Sequence, residues 1–246
     1  MQKISEEPAL ETVSHPMVQR LAQLLFKTWE THLTLEPYHL PEDLGYVEGQ
    51  MEGDRLTISN RCFQTKAFRK IHLELATVGG TLDILHCVMF PRPEYDLPIL
   101  GTDIVANPQL VSAAIIDLSP VLGALGEDYL DGLSDGYEKR AGFSQLRELP
   151  TWGTIFSPRC LFTRVGSPEE ADLFLEICTD YLNFHCHQGS IAKPAPADLQ
   201  PEILAGHRNY CQQQQQNDKT RRILVRAFGE AWAERYMNTV LFDLPA

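Results

Sequence analysis

The sequence predicts an α+β domain in which helices cover both faces of an antiparallel sheet. The middle third is a run of apolar segments joined by turn residues, and helical patterns precede and follow it. Consecutive hairpins pair antiparallel, and apolar sheet faces must be covered. A doubly wound parallel sheet would need strands alternating with helices, and no such alternation is present.

The elements follow in order. Residues 1–15 are expected to be a loose arm. From Pro16 to about Leu35, VQRLAQLLFKTWETHL carries apolar residues at helical spacing. YVEGQMEGDRLTISNRCFQ alternates and contains the pair Gly53-Asp54, which predicts a hairpin. RKIHLELATVGGTLDILHCVMF predicts two strands joined at Gly79-Gly80, a dipeptide that can supply the positive φ of a tight turn. GTDIVANPQLVSAAIIDL predicts another pair, turning near Asn107-Pro108. The last third reads as helical. SPEEADLFLEICTDYLNFHCH offers Ser167 as N-cap, Pro168 at the first helical position and two acids in the first turn. LQPEILAGHRNYCQQQQQ and KTRRILVRAFGEAWAERYMNTVLF continue the pattern.

The chain has 246 residues and a net charge of −12. That balance argues against nucleic acid as a general partner, because phosphate binding needs clustered Lys and Arg. The six cysteines form no C-x-x-C pair and no zinc or iron–sulfur spacing, so reduced cytosolic thiols are expected. No apolar run approaches the ~18 residues of a membrane span, and the acidic N-terminus is not a signal peptide. The expectation is a soluble, cytoplasmic protein with no membrane partner.

Chemistry concentrates in the hairpins. Ile71, Leu73 and Leu75 share one face of their strand, and His72 and Glu74 share the other. Counting outward from Gly79-Gly80, Glu74 and His86 are at similar distances from the turn. The next strand supplies Asp103 in an apolar setting. Two carboxylates and two histidines on neighbouring strands form a candidate proton-transfer cluster, since burial and an imidazolium move a carboxyl pKa in opposite directions. The alternative is a core His86 satisfied by a backbone carbonyl, with Glu74 and Asp103 facing solvent. His185 and His187 are two residues apart on a helix and point away from each other, so no metal is expected there. No G-x-G-x-x-G, P-loop or G-x-S-x-G occurs, so a Rossmann-bound nicotinamide or flavin is unsupported. Two basic islands stand out in an acidic chain: Arg61, Lys66, Arg69 and Lys70, and then Lys219, Arg221, Arg222 and Arg226. Either could dock an acidic partner or an anionic ligand, or be a solvated surface.

EDLGYVEG, FRKIHLELA, LDILHCVMFP, RELPTWG, NYCQQQQ, NDKTRR and FGEAWAERYMNTVLFD together resemble the ferredoxin-dependent bilin reductases. The resemblance runs from about Pro16 to the C-terminus and fits less well at 118–146 and 189–205. It implies one domain over 1–246, a three-layer α/β/α sandwich with a central antiparallel sheet, and a monomer. It also implies reduction of biliverdin IXα to phycocyanobilin by four electrons delivered singly from reduced ferredoxin. No metal or flavin is implied, and the radical intermediates reside on the tetrapyrrole. On this resemblance Asp103 matches the central proton donor and His86 the histidine bonded to it and to a lactam oxygen. Glu74 matches the acid beside the D-ring vinyl group, and His72 belongs to the supporting network. Ser112, Arg147 and Lys219 match positions that hold the propionates, and Asn217 would order the loop beneath the substrate. The island Arg61, Lys66, Arg69 and Lys70 becomes the expected docking patch for acidic ferredoxin.

Overall fold

The structure, a computed structural model, describes residues 13–151 and 153–245. Helix α1 (Pro16–His32) opens the fold, with Pro16 at its first position and the His15 side chain accepting from the Met17 N–H. Next come the short strand β1 (Glu36–Pro37), the one-turn α2 (Glu42–Gly45) and the hairpin β2 (Tyr46–Met51) and β3 (Asp54–Gln64). β4 (Phe68–Val78) and β5 (Leu82–Pro91) form a second hairpin, and β6 (Ile99–Asn107) and β7 (Leu110–Ser119) a third. Then follow α3 (Glu127–Gly132), α4 (Ser134–Glu138), β8 (Gln145–Leu146) and β9 (Leu161–Val165). The long α5 (Pro168–Ile191), α6 (Gln200–Gln214), α7 (Asp218–Phe228) and α8 (Glu230–Tyr236) close the chain, α8 running into a wider turn at Met237–Leu241.

All strands pair antiparallel, in the order β1-β3-β4-β5-β6-β7-β9-β8, with β2 also on β3. Strand alternation sends Ile71, Leu73, Leu75, Leu85, Cys87 and Ile104 into one core with α1 and α5. It sends Leu56, Ile58, Ala76, Val78, Val88 and Phe90 into a second core with α6, α7, α8 and the tail. Two cores on opposite sheet faces make the sandwich, as expected.

Several details differ from the sequence reading. The first hairpin turns at Glu52-Gly53, where φ is 56° and 96°, and Asp54 already starts β3. Two strands were not anticipated: β8 and β9, which precede the helical last third, extend the sheet beyond β7. Both are short, β8 being only two residues, so alternation gave little signal. The expected arm at 1–15 falls mainly outside the described residues. Its described end is held: Val13 is buried, and the Asp83 carboxylate accepts from Ser14 N–H at 2.7 Å and His15 N–H at 2.6 Å. The turn at Gly79-Gly80 is where expected, with φ of 55° and 69°.

Candidate active site

Register builds the site. Across the sheet, Asn60 on β3 stands opposite Glu74, Glu74 opposite His86, and His86 opposite Asp103. The row continues to Ile115 on β7 and Phe162 on β9. Directly opposed residues project from the same face, so these side chains form one line. That face carries the α6–α8 core around β3 and β4. Towards β9 it opens: His86, Asp103, Val105, Ala113, Ile115 and Phe162 are all partly exposed. An acid-rich row therefore runs from the buried core onto an uncovered apolar shelf.

The polar contacts are short. His86 Nδ1 lies 2.5 Å from Asp103 Oδ1, and His86 Nε2 is buried without a hydrogen-bond partner among the described residues. Burial disfavours a charge on His86, but Asp103 and then Glu74 outweigh it and hold the imidazole above its usual pKa. Glu74 is raised by burial, against the opposing influence of His86 and a hydrogen bond from Tyr236 at 2.6 Å. His72 is fully buried and held well below its usual value by desolvation and by Lys70 and His86. Its Nε2 lies 2.8 Å from Asn60 Oδ1, and its ring centroid 5.8 Å from that of His86. Phe242 from the C-terminal tail packs edge-on against His86, centroids 5.6 Å apart. Glu74, His86, Asp103 and His72 thus converge, with the pKa of His72 lowered beside two groups, Glu74 and His86, whose pKa values are raised. Among the alternatives read from the sequence, the solvent-facing one fails for Glu74, which is buried, and holds in part for Asp103, whose side chain is 41% exposed.

An open cleft of about 680 Å³ lies at the β7–β9 end, lined by Ser112, Ser144, Gln145, Leu146, Arg147 and Arg164. Arg147 donates from Nη1 to the Ser112 carbonyl at 2.9 Å and stacks over Phe162, the last residue of the polar row, at 4.8 Å. Ser112 Oγ donates to the Val105 carbonyl. Ser112 and Arg147 therefore meet, at a surface that continues the row. Asn217 and Lys219 sit elsewhere, at the start of α7, where the Asn217 side chain caps the Lys219 N–H. Lys219 is exposed and does not line this cleft.

The first basic island does not survive as a surface. Lys70 points into the second core, is fully buried, and pairs with Asp243 of the tail. Arg69 is 12% exposed and binds the same carboxylate at 2.5 Å. Alternation places Lys70 on the inner face with His72, which counting charges along the chain cannot reveal. Of the four, Lys66 alone is exposed. In the second island, Arg221 pairs with Glu234 and Arg226 with Glu52. His185 is buried against the Tyr129 hydroxyl while His187 is exposed, so the two do diverge.

Sequence reasoning missed Asn60, Tyr236, Phe242 and Asp243. Asn60 was findable by pairing the first two hairpins in register. The other three come from over 130 residues away and have no local signal.

A model of the family described as "Ferredoxin-dependent bilin reductase" matches residues 22–243. The chain belongs to the ferredoxin-dependent bilin reductases. It is 66% identical over 231 residues to a phycocyanobilin:ferredoxin oxidoreductase of Gloeobacter violaceus, covering 94% of this chain and 91% of that one. It is 51% identical to the protein of that name from Synechococcus elongatus, covering 98% of each. Among solved structures, tomato phytochromobilin synthase in complex with biliverdin superposes with a TM-score of 0.80 at 18% identity, over 93% of this chain and 85% of that one. That likeness shows the fold. The bilin reductase is thus an oxidoreductase that draws electrons from ferredoxin, and no helix among its described residues is long and apolar enough to cross a membrane.

Proposed function

We propose that this bilin reductase catalyses the four-electron reduction of biliverdin IXα to phycocyanobilin, with radical intermediates on the bilin. The observation that carries this reading is the row Glu74–His86–Asp103, which leads from the buried core onto a partly exposed apolar shelf. Each two-electron reduction of a carbon–carbon double bond consumes two protons, so four electrons require four. Electrons arrive one at a time, and each added electron makes the conjugated ring system more basic. The protein's work is then to present protons at fixed points and to keep water away.

Asp103, half in the open and bonded to His86, is assigned as the central donor to the pigment. His86 Nε2 is assigned to a lactam oxygen, and His86 reloads Asp103. Glu74, one strand further inward, serves the D-ring vinyl group, and His72 belongs to its supporting network. Ser112 and Arg147 hold propionate, the guanidinium gripping a carboxylate with two donors. Lys219 and Asn217 are assigned to a propionate and to the loop beneath the substrate. The tetrapyrrole itself carries the unpaired electron, so neither metal nor flavin is required. The enzyme is proposed to act in the cytoplasm as a monomer, and ferredoxin to dock by charge.

The test is anaerobic addition of reduced ferredoxin to the enzyme–biliverdin mixture, followed by absorption and product chromatography. Phycocyanobilin is expected. Phytochromobilin or phycoerythrobilin would overturn the regiospecificity. Binding without spectral progression would mark the protein as a pigment carrier instead.

A further inference from the structure

Tyr236 is fully buried in α8, and its hydroxyl lies within reach of two acceptors: Glu74 Oε2 at 2.6 Å and Asn60 Oδ1 at 2.9 Å. A phenol has one proton and can satisfy one acceptor at a time. Asn60 cannot reverse its amide to share the task, because Nδ2 donates to the Leu44 carbonyl at 2.8 Å. Oδ1 is therefore an acceptor, and His72 Nε2, 2.8 Å away, must be the donor to it. One proton position in this closed set is left undecided, that of the Tyr236 hydroxyl, and only the state of Glu74 can decide it.

We propose that Tyr236 is a positioning residue that holds Glu74 in either proton state by turning its hydroxyl between two acceptors. When Glu74 is ionised, the phenol donates to the carboxylate. When Glu74 is protonated, its O–H donates to the phenolic oxygen and the phenol turns to Asn60 Oδ1. In both states Glu74 Oε2, the Tyr236 hydroxyl and Asn60 Oδ1 stay hydrogen-bonded, so the exchange creates no new buried orphan. No proton leaves Tyr236 in the exchange. Glu74 loses one, the bilin gains one, and the hydroxyl rotates. The inference rests on Glu74 as proton donor to the bilin.

The other groups facing Glu74 are His86 and Asp103 from β5 and β6, and His72 on its own strand. Those on β5 and β6 form the substrate-side pair. Asn60 lies across Glu74 from His86, and Tyr236 bonds to both Asn60 and Glu74. Stacking on Trp232, at 4.8 Å and 14° between planes, fixes the Tyr236 ring and leaves the hydroxyl as the moving part.

Neutron diffraction of the substrate-free enzyme at two pH values reads the outcome directly. Above the titration of Glu74 the phenolic deuteron is expected on the Glu74 side. Below it, that deuteron is expected on the Asn60 side, with a second on Glu74. A phenolic deuteron on the same partner at both pH values overturns the proposal. Tyr236→Phe gives a second reading, keeping the stacked ring. Glu74 is followed by carboxyl-labelled NMR and assigned by its loss in Glu74→Gln. Its titration is expected at higher pH, because the charge-assisted bond to the carboxylate is the stronger of the two removed. The kcat for vinyl reduction is expected to fall about tenfold, one hydrogen bond's worth, with KM for biliverdin unchanged. An unmoved titration, or a loss confined to KM, overturns the assignment. The structural and titration readings need neither bilin nor reductant, so their failure would leave bilin reduction standing, and failed turnover would leave them standing.

Discussion

Asp243 follows Phe242, which packs against His86, and it neutralises two cations, Lys70 and Arg69. Consider Asp243→Ala. Breaking a buried ion pair by removing one partner costs ~3–5 kcal/mol, because the other charge is left uncompensated. Lys70 is fully buried and keeps one bond, to the Val240 carbonyl at 2.8 Å. It can escape by giving up its proton. From a pKa of ~10.4 that escape costs at most roughly 4–5 kcal/mol at neutral pH, at 1.36 kcal/mol per pH unit. The Asp243 side chain is 20% exposed, so water reaches the place it leaves and favours the lower part of the range. The expected loss is about 3–4 kcal/mol, a large fraction of a ~5–15 kcal/mol total. The sign with pH follows. Lys70 is already lowered by burial, and without Asp243 it falls further. The folded variant then binds fewer protons than the unfolded chain up to pH ~10.4, so its stability rises with pH and the deficit shrinks. Urea unfolding near neutrality and in mild alkali measures both. Lys70→Met with Asp243→Leu should recover most of the loss. A deficit under about 1 kcal/mol, or one that does not change with pH, would show that Lys70 is not held by Asp243, and the argument fails.

Four further outcomes are expected. Asp103→Asn should still bind biliverdin but lose product formation, with a bilin radical persisting in the spectrum; wild-type turnover would sink its role. The same variant should lower the His86 pKa. Because a raised imidazole stabilises the fold below its unfolded value of ~6.5 and loses that contribution as pH climbs through the folded value, the stability gap to wild type should be widest below pH ~6.5 and close above it; a gap that widens with pH would contradict this. Glu74→Gln should abolish D-ring vinyl reduction and spare the A-ring, as product chromatography will show, and an unchanged product would refute the assignment. Turnover at limiting ferredoxin should fall as salt rises to ~0.5 M, since exposed charges are screened beyond ~10 Å already at 0.1 M; flat kinetics would exclude charge-steered docking.

Much of this architecture was legible because the hairpins are local. Gly79-Gly80 fixes the turn, the turn fixes the register, and the register sets Glu74 against His86. Asp103 could be placed only on the next strand, because residues 92–98 join β5 to β6 by a loop with no tight turn to count from, and its pairing with His86 came from the structure. What could not be read was whatever the tail brings back. Tyr236, Phe242 and Asp243 reach Glu74, His86 and Lys70 across 156 to 173 positions, and apolar periodicity says only that α8 is buried on one side. Reading Lys70 as a surface charge failed for the same reason. A lysine on an inward position reads as misplaced until its carboxylate is found. β8 and β9 escaped because five residues or fewer give alternation too little length.

The row from Asn60 to Phe162 crosses six strands. Neighbouring strands are ~4.8 Å apart, so those five intervals make a ruler of roughly 24 Å, graduated in steps of one strand. Acids stand on the second and fourth marks and an imidazole between them. On the proton-donor roles proposed for Glu74 and Asp103, moving an acid one mark along would shift the point of protonation by ~4.8 Å. On that proposal, the choice of which double bond is reduced becomes a matter of address along a fixed scale, open to revision by a pair of substitutions on adjacent strands.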